Sequence, residues 1–137
     1  MSLFKGIAKA KATQGGVYIV PGNYLFEIQA CKEGRTRKGD GFFVAELKVI
    51  ETDNSDRPVG SICSWMAMDA HDSFLNNVKA FVCGVTGSED NEEIDEETLD
   101  TIVGEKQPLA GTQVKCQATN VKTRAGGDFT RCNWFAA

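Results

Sequence analysis

With 137 residues, 42% of them hydrophobic and 25% charged, the chain suffices for one domain with a core that needs no staples, which excludes the miniproteins held by disulfides or metals. No stretch reaches the roughly 18 apolar residues that a bilayer span requires, and residues 1–16 lack the apolar block of a secretory leader. The protein is therefore expected in the cytoplasm, with no membrane partner. A net charge of −4 speaks against a polyanion ligand only if the charge is evenly spread, and it is not. Residues 89–105 hold nine acids and no base, leaving fifteen basic against ten acidic residues elsewhere, a balance of +5.

Residues 1–16 carry Lys5, Lys9 and Lys11 among small residues and read as a basic N-terminal arm, separate from a domain over 17–137. The apolar run 17–20 is expected to lead into the first main strand across Pro21-Gly22. In 23–31, Tyr24, Phe26, Ile28 and Ala30 alternate with Leu25, Glu27, Gln29 and Cys31, the period of a strand with one buried face. A second strand over 42–50 places Phe43, Ala45, Leu47 and Val49 inward and Phe42, Val44, Glu46 and Lys48 outward. Between them, residues 32–41 hold four basic residues, two acidic residues and three glycines, which predicts a flexible basic loop.

A polar turn over 52–58 precedes a third strand over 59–66, poorly resolved by period, that contains Trp65. Phe74, Leu75, Val78, Phe81 and Val82 then follow helical spacing, predicting a helix over 70–84 with Asp69 or Asp72 at its start and Gly84 or Gly87 as its stop. The acidic insert, 88–105, is expected to end in a short turn of helix capped by Asp95 and carrying Leu99, Ile102 and Val103. A fourth strand over 112–121 alternates Val114, Cys116 and Ala118 with Lys115, Gln117 and Thr119. After a second basic, glycine-rich turn over 122–128, the last strand occupies 129–135, with Trp134 in the core or at the chain end.

Five strands with one helix between the third and fourth is the element order of the OB-fold, a partly open five-stranded barrel. The predicted fold is mainly β and OB-fold-like. In that fold the face of strands two and three, with the loops joining strands one to two and four to five, takes oligonucleotides or oligosaccharides. Those are the two loops that are basic here, and both are expected at one place.

Single-stranded nucleic acid requires cations along its backbone and flat side chains under its bases. Arg35, Arg37, Lys38, Lys122 and Arg124 occupy the two loops, while Lys48, Lys115 and Arg131 fall on strand faces opposite the core. Phe42 and Phe129 are the stacking candidates, with Trp65 third. Exposed Arg and Lys in turns often serve solubility alone, and aromatic residues of small barrels are mostly core, so Tyr24, Phe26 and Phe43 are assigned to packing.

The Pro21-Gly22-Asn23-Tyr24 lead, the Lys38-Gly39-Asp40-Gly41-Phe42 loop exit and the stretch 99–106 resemble the small single-stranded DNA-binding proteins of tailed bacteriophages, over residues 17–135. The resemblance implies an OB-fold and a role in coating and protecting single-stranded DNA during phage replication or recombination. Many such proteins end in an acidic tail that recruits partners. This chain ends Asn133-Trp134-Phe135-Ala136-Ala137 and carries its acids internally, so residues 89–105 are the candidate contact for a replication or recombination protein. The ligand class includes single-stranded RNA.

The rival reading is an OB-like protein-binding module whose acidic insert mimics DNA or docks a replication enzyme. An enzyme is not expected. The sole histidine, His71, lies between Asp69 and Asp72 at a helix start, where acids suit the dipole, and no nucleophile, phosphate-loop or metal-ligand motif is present. Asp53, Asp56, Asp69 and Asp72 have no spacing that demands a metal, and no cofactor is implied. Cys31, Cys63, Cys83, Cys116 and Cys132, odd in number and singly placed, read as reduced and mostly buried.

Overall fold

The computed structural model describes residues 17–88, 94–122 and 127–137. The basic arm, the first part of the acidic run (89–93) and the tip of the second basic turn, Arg124 included, lie outside the described residues.

Six strands form one sheet: β1 (Val17–Tyr18), β2 (Gly22–Arg35), β3 (Gly41–Thr52), β4 (Ile62–Met68), β5 (Gln113–Lys122) and β6 (Asp128–Ala136). Two helices, α1 (Phe74–Thr86) and α2 (Glu96–Ile102), lie between β4 and β5. The order across the sheet is β1-β4-β3-β2-β5-β6, with β2 through β6 joined by antiparallel pairs. The short lead-in does not extend β2: β1 pairs in parallel with β4, Val17 opposite Cys63.

The start of β2 is fixed by Gly22, whose φ of +154° suits a residue without a side chain and where a Cβ would lie 3.0 Å from Asp53 Oδ1. Asp53, at the far end of β3, accepts hydrogen bonds from the Asn23 backbone N–H and its side-chain amide, both at 2.8 Å. Those two donors, the backbone one foremost, hold the Asp53 carboxyl below the usual carboxylate range.

Tyr24, Phe26 and Ile28 face the core as their alternation predicts, but the next inward residue is Cys31 rather than Ala30. The cause is a bulge: Ile28 pairs with Leu47 and Ala30 with Glu46, so Gln29 has no partner and the faces exchange. Beyond the bulge β5 no longer accompanies β2, and the Gln107 side chain takes its place. Its Oε1 accepts from the Cys31 N–H at 2.7 Å and its Nε2 donates to the Cys31 carbonyl at 2.8 Å. These bonds help hold Gln107 at a φ of 44°, which a side-chain-bearing residue otherwise avoids.

The sheet is curled but not closed into a barrel. Helix α1 packs on β4, β5 and β6 through Val78, Phe81, Val82 and Val85. Strands β4 and β6, far apart in the sheet order, meet through side chains: Trp65 and Trp134 lie 5.4 Å apart, with Phe81 at 5.2 Å from the first and 4.8 Å from the second. The three rings fill the core between β4 and β6, which share no ladder among the described residues.

Two helices stand where the OB-fold order has one, the second being the short helix expected at the end of the acidic run. Helix α1 begins at Phe74, not residue 70, because 71–74 form a turn in which the Phe74 N–H reaches the His71 carbonyl. Neither Asp69 nor Asp72 caps it; Ser73 stands at the N-cap without a side-chain capping bond, its Oγ accepting instead from the Asn77 side-chain amide at 3.3 Å. Gly84 does not stop it either. A Cβ there would overlap Trp134, so Gly84 is the point of closest approach to β6, and the left-handed Gly87 ends the helix. Asp95 caps α2 as expected, accepting from the Thr98 N–H at 3.0 Å. Ile102 of α2 is buried in the core, so the second half of the acidic run is part of the domain rather than an insert.

Cys31, Cys63 and Cys116 are buried, Cys83 and Cys132 half-buried, and none is in a disulfide. Burial pushes the Cys31 thiol up to about 12, and a hydrogen bond with Cys132, then burial, pushes Cys116 up as well, so both stay protonated at neutral pH. No helix among the described residues is long and apolar enough to cross a membrane.

Candidate nucleic-acid interface

The helices cover one side of the sheet; the candidate residues are mostly on the other. On β3 and β4 the register aligns Phe42 with Met68, Val44 with Met66, Glu46 with Ser64 and Lys48 with Ile62, all facing away from the core. Lys48 is exposed, as expected from its parity. Glu46 meets Lys32 of β2 at 3.6 Å, so this sector is apolar with balanced charge. The Phe42 ring is half-buried, its far edge lying over Gly34, where a Cβ would come within 2.6 Å of it.

The β5–β6 hairpin is different in charge. Neither β5 nor residues 129–136 of β6 contain an acid. Lys115 stands between Leu25 of β2 and Phe135 of β6, Arg131 faces Thr119, and Phe129 faces Val121. Lys115, Lys122 and Arg131 are exposed. Along β6 the outward series is therefore Phe129, Arg131, Asn133, Phe135, one side chain every ~6.7 Å. The two aromatic rings are 50% and 51% exposed and ~20 Å apart.

Phe135 was not among the sequence candidates, although its parity with Phe129 and Arg131 was the signal. Trp65 is the opposite case. Its ring is stacked on Phe81 and edge-on to Phe43 and Trp134, so it packs as part of the aromatic core. Trp134 is in the core, one of the two positions the sequence allowed.

The first basic loop is short, because β2 runs to Arg35 and β3 starts at Gly41, leaving a hydrogen-bonded hairpin turn over 36–40. The Thr36 N–H donates to the Asp40 carbonyl at 2.8 Å, and Arg35 Nη1 to the Gly39 carbonyl at 2.9 Å. Arg35 thus braces the turn, while Arg37 and Lys38 are exposed at its tip. The two basic turns do not converge. Gly22 pairs with Ala118 and Arg35 with Gly41, so the β5–β6 turn continues past the start of β2 and the β2–β3 turn past its end. The fourteen residues of β2 and the four of β5 beyond its start separate them by at most about 60 Å along the strands. Such a face can follow an extended chain but cannot enclose a compact ligand.

A shallow depression of about 580 Å³ links Lys115 and Phe135 to the end of β3, where Glu51 and Asp53 bound the cationic sector. Glu96 and Asp100 of α2 line a different groove. Among the described residues no cluster of His, Cys, Asp and Glu is arranged to hold a metal. No protein-family profile matches the chain, and no curated protein matches it in sequence.

Proposed function

We propose that this protein binds single-stranded nucleic acid, DNA foremost, along the outer face of its sheet. The observation that carries the reading is the β5–β6 hairpin, whose strands hold no acid over 113–122 and 129–136 and where exposed Phe129, Arg131 and Phe135 share the outer face, with Phe135 opposite Lys115. Cations neutralise phosphates and aromatic faces accept any base, so affinity depends little on sequence. Lys48, Phe42, Arg35, Arg37 and Lys38 extend the track toward the β2–β3 turn, exposed Lys122 lies where β5 enters the β5–β6 turn, and Arg124 of that turn is a candidate from the sequence alone. The adjacency of the long strands, with β2 between β3 and β5, supports an OB-like sheet. The role we assign is coating and protecting single strands in replication or recombination, in keeping with the resemblance to phage proteins.

Trp65 and Trp134 lie in the core, so a labelled oligonucleotide is a better reporter than intrinsic fluorescence. Fluorescence anisotropy at low salt is expected to give at least tenfold tighter binding to oligo-dT than to a duplex of equal length, with oligo-dA within severalfold of oligo-dT. Oligo-rU in the same series measures discrimination against RNA. Absence of binding to every nucleic acid sinks the proposal.

A further inference from the structure

Helices α1 and α2 enclose a groove of about 540 Å³ that the nucleic-acid reading leaves unused. Its walls are apolar: Phe74 and Val78 from α1 stand one turn apart, as do Leu99 and Val103 from α2, and Phe42 and Phe43 line it from β3. At its lip Leu75 is 74% exposed, which for a leucine beside an apolar groove signals a missing contact. The polar lining is mainly acidic. Glu33, Asp95, Glu96 and Asp100 contribute carboxylates against one cation, Lys79.

An apolar trough edged by carboxylates is the complement of one kind of ligand. Two helical walls presenting i, i+4 ridges accept the ridges of a third helix, and a rim of this sign selects lysine and arginine on that helix's flanks. We propose that the α1–α2 groove docks a basic amphipathic helix of a partner protein, with apolar residues at i, i+3 or i+4, and i+7. The acidic run draws the helix in from solution, and the groove supplies the burial that holds it. Apart from Phe42 the groove shares no residue with the proposed DNA track, so both ligands can be tested separately.

The test is selection of a random displayed peptide library on the full-length protein, followed by anisotropy titration of the best labelled peptide. The expected consensus combines helically spaced apolar residues with Lys or Arg. Leu75→Glu, and separately the pair Glu96→Lys and Asp100→Lys, should each weaken that peptide at least tenfold while leaving oligo-dT affinity within twofold. All three positions are exposed, so folding is preserved. Enrichment of acidic peptides or of no family overturns the proposal, as does a selected peptide indifferent to both variants. A dimer that Leu75→Glu converts to monomer would make a second copy the occupant. A tenfold gain in peptide affinity on deleting residues 1–16 would make the chain's own N-terminal segment the occupant. Either result also overturns it.

Discussion

Replacing Phe129 and Phe135 by alanine is expected to weaken binding of oligo-dT without changing the fold. A stacked base is worth about 1–3 kcal/mol by alanine substitution, roughly a 5- to 150-fold loss for each ring. The rings are ~20 Å apart on β6 and share no partner, so the losses should add, giving from about 25-fold to four orders of magnitude for the double variant. Both are half-exposed, and the urea midpoint should move little. Phe42→Ala should cost less than either, because its ring edge already rests on Gly34. Anisotropy titration of the three variants measures the order; unchanged affinity in the double variant would remove β6 from the site.

The second large effect concerns the fold. Phe81→Ala is expected to lose about 3–5 kcal/mol in a urea titration, the usual cost of removing a buried aromatic ring. Phe81 is fully buried and touches Phe43, Trp65 and Trp134, at 5.8, 5.2 and 4.8 Å between centroids. Because β4 and β6 share no ladder among the described residues, this cluster is what holds the two sides of the curled sheet together. Leu75→Ala, on the exposed side of the same helix, serves as the control and should change stability by under about 0.5 kcal/mol. A loss below about 1 kcal/mol for Phe81→Ala would mean that the sheet keeps its curl without the cluster.

What the sequence discloses follows the range of the forces involved. Strands β3, β5 and β6 are readable because one buried face imposes a period of two, and α1 because its buried stripe imposes the helical period. The outward positions of Lys48, Lys115, Phe129 and Arg131 follow from the same parity. The bulge at Gln29 is not readable, since it depends on which residue of β3 lies opposite, and one slipped residue was enough to exchange Ala30 and Cys31. The failure to close a barrel has the same origin. Whether the edge strands pair depends on contacts between residues distant in sequence, such as those among Trp65, Phe81 and Trp134, which no local pattern encodes. The separation of the two basic turns rests on the pairing of β2 with β5, a register that loop composition does not encode. The α1–α2 groove likewise joins apolar rows that each look like ordinary core when read singly.

The central claim is that the cations of the β5–β6 hairpin contact phosphates, and the slope of log K against log salt concentration for oligo-dT measures this most directly. Each phosphate neutralised on a single strand contributes about −0.7 to that slope. The native protein should show a clearly negative slope, and the Lys115→Ala, Arg131→Ala double variant one shallower by about 1.4, with weaker binding at low salt. A slope near zero for the native protein, or the same slope in the double variant, would contradict the account.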